Sequence, residues 1–191
     1  MKRISFNSPI VLGFVFISAC ALLLGYISDN VITRLFFCTF RAPLIDPLTF
    51  IRLFTHVLGH ASFQHFYSNM LIFLLTGPLL EEKYGSKNIL VMILATAFVS
   101  GIINNILFPN TALLGASGIC FMFIILSSIT CVEDGKIPLT FILVTIMYLG
   151  NEIINGIITV DNISQLTHII GGICGAFFGI YLNKMRIKRN M

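Results

Sequence analysis

The 191 residues are 57% hydrophobic and only 10% charged, with a mean hydropathy of +0.94, whereas a soluble domain usually carries about 25% charged residues. An ordinary water-soluble fold does not fit this balance. At about 20 apolar residues per membrane crossing, the length holds six crossings with short connections and leaves no room for a sizeable soluble domain. The net charge of +4 does not mark a nucleic-acid binder, because the 12 Lys and Arg are scattered between apolar runs and form no basic stripe.

Apolar runs bounded by charges or turn residues place spans at residues 9–27, 63–80, 88–107, 116–132, 138–157 and 165–183. The expected architecture is an all-α membrane protein, a single domain over 1–191 with six transmembrane helices and one long connection, residues 28–62. The first run follows Met1-Lys2-Arg3, like a secretory signal, and Ile17-Ser18-Ala19-Cys20 loosely resembles a lipoprotein cleavage box. Because the run continues through Leu22, Leu23 and Leu24, it reads as a retained span. Six spans put both termini on one side, together with Lys83, Lys87, Lys136, Lys184, Arg186, Lys188 and Arg189, and the positive-inside tendency makes that side the cytoplasm. The compact plan points to a bacterial inner membrane. The long connection, carrying Arg34, Arg41 and Arg52 among Phe36, Phe37, Phe40, Phe50 and Phe54, then lies outside at the membrane interface. Cys20, Cys38, Cys120, Cys131 and Cys174 show no CxxC pairing and read as small core hydrophobes.

The second, fourth and sixth spans run inward and each begins with its polar or glycine-rich residues. Polar groups in hydrocarbon are costly, so three such starts at one depth mark a functional site. The second brings His56, His60, His65 and Asn69. His65 and Asn69, four apart on a helix, can donate to one spot. Paired histidines can also bind zinc, an alternative reading of His56, His60 and His65, although no HExxH is present and no carboxylate or cysteine lies between residues 47 and 80.

The fourth span, from Ser117 to Cys131, is about 15 residues, or roughly 22 Å, short for a core of about 30 Å. Its start is submerged, and the preceding Phe108-Pro109-Asn110-Thr111-Ala112 dips to membrane depth as non-helical chain lining a cavity. In Gly115-Ala116-Ser117-Gly118 the flanking glycines expose a hydroxyl at a helix start whose free N–H groups favour negative charge. The alternative is packing or capping by small residues. The fifth span carries Gly150, Asn151, Glu152, Asn155 and Gly156 in its later half, either a mobile gate for lateral entry or an interfacial helix end. In the sixth, Thr167 and His168 precede Gly171, Gly175 and Gly179, a stripe that lets two helices pack closely. His168 could take the proton of Ser117, or rest as an interfacial histidine bonded to a carbonyl or water. The Ser117 N–H, His65 and Asn69 would together make an oxyanion hole.

From about Arg52 to Gly179 the chain resembles the rhomboid family of intramembrane serine proteases. Arg52-Leu53-Phe54-Thr55-His56 with His60, His65 and Asn69 is similar to the family's second-helix start. Gly115-Ala116-Ser117-Gly118 looks like its GxSG nucleophile motif, His168 with Gly171 and Gly175 like its base-bearing motif, and Glu81-Glu82-Lys83-Tyr84-Gly85 like the acidic turn after the second span. Two positions depart from the pattern: Ile51 stands where the family often has Trp, and Phe121 where it often has Tyr. The resemblance implies a rhomboid-like bundle and a Ser117–His168 dyad without an acidic third member. It also implies oxyanion donors in His65, Asn69 and Ser117, support from Gly115, Gly118, His60, Phe121, Gly171 and Gly175, no cofactor or metal, and substrates that are transmembrane segments of proteins in the lipid bilayer. Two rivals stay open: a catalytically silent rhomboid-like protein that binds membrane clients, and a metal-dependent protein using the histidine cluster.

Overall fold

The computed structural model describes residues 7–130, positions 139, 143, 146 and 147, and residues 162–190. Apart from those four positions, the span expected at 138–157, with Gly150, Asn151, Glu152, Asn155 and Gly156, lies outside the described residues. So do Met1-Lys2-Arg3 and Cys131. The described chain is helical, without strands: α1 (Pro9–Ile27), α2 (Val31–Phe36), α3 (Pro47–Thr55) continued by a 3₁₀ turn (His56–Leu58), α4 (Phe63–Tyr84), α5 (Ser86–Leu107), α6 (Ser117–Thr130) and α7 (Asn162–Asn190). Pro9–Ile27, Ser86–Leu107 and Gln165–Leu182 are long and apolar enough to cross a membrane.

The helix starts follow local chemistry. Pro47 opens α3 behind Asp46, whose side chain accepts the Leu48 N–H, and Ser62 caps α4 by accepting the His65 N–H. The start of α1 is capped from another helix: the Glu81 carboxylate accepts the Ile10 and Val11 N–H groups, both at 3.0 Å, and the Ser86 hydroxyl at 2.7 Å. A buried anion at a helix N-terminus satisfies orphan donors and meets the positive end of the helix dipole. The helix that carries the span expected near 63–80 runs a turn beyond it. Glu81 and Glu82 belong to the last turn of α4, which continues to Tyr84 because the Glu81 carboxylate is fixed against α1 rather than free in a turn.

The connection 28–62 is more structured than its mixed composition indicates. The Arg52 guanidinium organises it: Nε donates to the Leu35 carbonyl at 2.8 Å, an outer nitrogen pairs with Asp46 at 3.3 Å, and the group lies over the Phe40 ring. The anchoring therefore does not need a Trp at position 51. Two backbone bonds between Thr39 and Leu113 (2.9 and 2.8 Å), together with the Gly115 N–H donated to the His56 carbonyl, stitch this segment to the loop before α6.

Helix α6 lies at the centre, with Ile119, Cys120, Phe121, Met122, Phe123 and Leu126 buried among α4, α5 and α7. A helix apolar all round and shorter than its neighbours belongs inside a bundle. Phe73 of α4 stacks on Phe14 of α1 and meets Phe123 of α6, tying three helices into one core. Lipid tails offer little hydrophobic drive to helix association, so such packing and the few interhelical hydrogen bonds carry the assembly.

Candidate active site

The contact between α6 and α7 is set by backbone proximity. A Cβ on Gly171 would collide with the Gly118 carbonyl, and one on Gly175 would lie 2.5 Å from the Met122 carbonyl oxygen. Only glycine permits this approach. The same registry sets Thr167 against Gly118, where a Cβ would meet Thr167 Cγ2 at 2.9 Å. The next residue, His168, is buried with its ring stacked on Phe121 at 4.2 Å and 14°. Phe121 stands four residues after Ser117, on the same face of α6. The imidazole thus lies over the face that carries Ser117, which is the half-buried first residue of its helix.

The loop before Ser117 turns at Gly115, whose φ of +125° is rarely adopted by residues with a side chain. A Cβ there would stand 2.8 Å from His65 Cε1, 2.9 Å from His65 Nε2 and 4.0 Å from Asn69 Nδ2. Glycine is required on both counts, and it lets the backbone approach the two α4 side chains. His60 meets the His65 ring edge-on at 5.1 Å and Phe66 at 5.4 Å, while its Nδ1–H donates to the Leu58 carbonyl. His56 donates from Nε2 to the Ala97 carbonyl at 3.1 Å. Burial pushes His56 and His60 down to about 4, His60 with a further contribution from His65, so both are neutral near pH 7.

Ser117, Gly115, Gly118, His65, Asn69, Phe121, His168 and Gly171 therefore share one end of the bundle, with His60 behind His65 and Gly175 one turn further along the helix contact. Of the histidines read as alternative metal ligands, His56 and His60 are bonded to main-chain carbonyls, and no group of three potential ligands is disposed to hold a metal ion among the described residues. Two neighbours escaped the sequence reading. Cys120 looked like a core hydrophobe and is buried, but its thiol touches Asn69. On α5, Thr96, Ser100 and Asn104 form a buried polar row, with Ser100 Oγ 3.7 Å from where a Cβ on Gly118 would stand. Their spacing of four inside an apolar run is the signal that would have found them.

A family model described as the rhomboid domain matches residues 47–185, more than half of the chain. No curated protein matches it.

Proposed function

The chain belongs to the rhomboid family, and from that premise we propose that this integral membrane protein is an intramembrane serine endopeptidase cutting transmembrane segments of other proteins. The observation that carries the reading is the stacking of His168 on Phe121, one turn from Ser117, at the end of α6 where Gly115 abuts His65 and Asn69. Ser117 attacks the scissile carbonyl while His168 takes its proton and then returns it to the leaving amine. The tetrahedral oxygen is stabilised by the Ser117 N–H at the start of α6, by His65 and by the Asn69 amide. Water then hydrolyses the acyl-enzyme. Both termini face the cytoplasm and the site lies toward the outer face.

The test is labelling of the detergent-solubilised protein with a fluorophosphonate probe. A covalent adduct is expected on the wild type and absent from Ser117→Ala and His168→Ala. An unlabelled wild type that still retains membrane clients supports the silent, client-binding reading instead.

A further inference from the structure

We propose that Cys120 is a positioning residue for the oxyanion site, its thiol holding the Asn69 carboxamide with the nitrogen turned toward Gly115 and Ser117. The proposal rests on the protease reading above. The single S–H of Cys120 is shared between two acceptors of Asn69, the main-chain carbonyl at 3.4 Å and Oδ1 at 3.9 Å, with both residues buried. A carboxamide carries an acceptor oxygen on one side and two N–H donors on the other, and its terminal torsion is broad and roughly two-fold. Which side faces the reacting carbonyl is therefore decided by the neighbours. A thiol on the oxygen side favours one orientation. Asn69 Nδ2 then stands beside Gly115, buried and without a hydrogen-bond partner among the described residues.

The consequence is electrostatic. Nitrogen first, the amide offers N–H to the oxygen that becomes negative as Ser117 attacks. Oxygen first, it would set a lone pair against that charge and raise the barrier. Cys120 lies three residues after Ser117, about one turn along the same helix. The helix that presents the nucleophile thus also sets the orientation of an oxyanion donor on its neighbour.

The experiment measures the rate of fluorophosphonate labelling of Ser117 in Cys120→Val, which keeps the volume and removes the donor, and in Cys120→Ala, which cannot overpack. Cys120→Ser restores a donor. The loss of one orienting hydrogen bond predicts a rate about fivefold to tenfold lower in Cys120→Val and Cys120→Ala, and a rate within about threefold of wild type in Cys120→Ser. In an Asn69→Ala background the Cys120→Val change costs less than about twofold, because the group it positions is gone. An equal loss in both backgrounds, or no loss with Asn69 intact, overturns the assignment while leaving the protease reading in place. A wild type that does not label rejects both.

Discussion

The ring of Phe121 stacks on the His168 imidazole at 4.2 Å and 14° and so holds its plane. Aromatic pairs are worth about 0.5–1.5 kcal/mol beyond their burial, so Phe121→Ala is expected to slow Ser117 labelling by roughly twofold to tenfold, and Phe121→Tyr to leave it near wild type. Parallel labelling time courses check both. The buried His56 and His60 make a different prediction. Their folded values of about 4 lie below the ordinary 6.5, so the unfolded chain binds more protons between those limits. Stability is intact above about pH 6.5 and falls as pH drops toward about 4, by at most about 1.4 kcal/mol per pKa unit for each histidine. Detergent-unfolding curves across this window are expected to shift accordingly, and less steeply in His56→Gln.

At the scale of helices, Glu81 is the joint between α1 and α4. Replacing one carboxylate oxygen by an amide in Glu81→Gln leaves a buried N–H of α1 facing another donor. Losing a charged hydrogen bond of this kind costs about 1.5–3 kcal/mol. The unfolding midpoint is expected to fall while Ser117 labelling persists below the transition, because the joint is remote from the site residues. The sequence pattern located α1 at its observed bounds, since Pro9 and the polar Ser28-Asp29-Asn30 end a continuous apolar run. The turn of α4 beyond residue 80 was not legible, because charges usually end a span and nothing local announces that Glu81 has a partner 70 residues away. The helices within 28–62 were hidden for a related reason: their apolar faces are short, and Arg52 among them has its partners outside its own helix, at the Leu35 carbonyl, Asp46 and the Phe40 ring.

For the whole molecule, the candidate site residues were legible because scarce polar residues in an apolar chain stand out. Ser117, His168, His65 and Asn69 could be picked out one by one, and the structure places them at one end of the bundle. Their mutual orientation was not legible. It depends on how closely α7 approaches α6 at Gly171 and on how the Gly115 turn meets α4, which are properties of packed helices rather than of any window of sequence. The match over residues 47–185 leaves α1 outside it, yet α1 supplies Phe14 to the central aromatic stack and takes its cap from Glu81. Its role is to brace the region the family model covers.

The pair of backbone bonds between Thr39 and Leu113 ties the surface segment to the loop that leads into Gly115. That segment exposes Leu44, Ile45, Phe50 and Ile51, apolar side chains of the kind that settle at a lipid interface. A displacement of the segment would pass through the seam toward Gly115, two residues beyond Leu113, which abuts His65 and Asn69. Ser117 labelling in vesicles of short-chain and long-chain lipids is therefore expected to differ for the wild type. The difference is expected to shrink in Leu113→Pro, which removes one N–H of the seam and loosens the tie between the segment and Gly115.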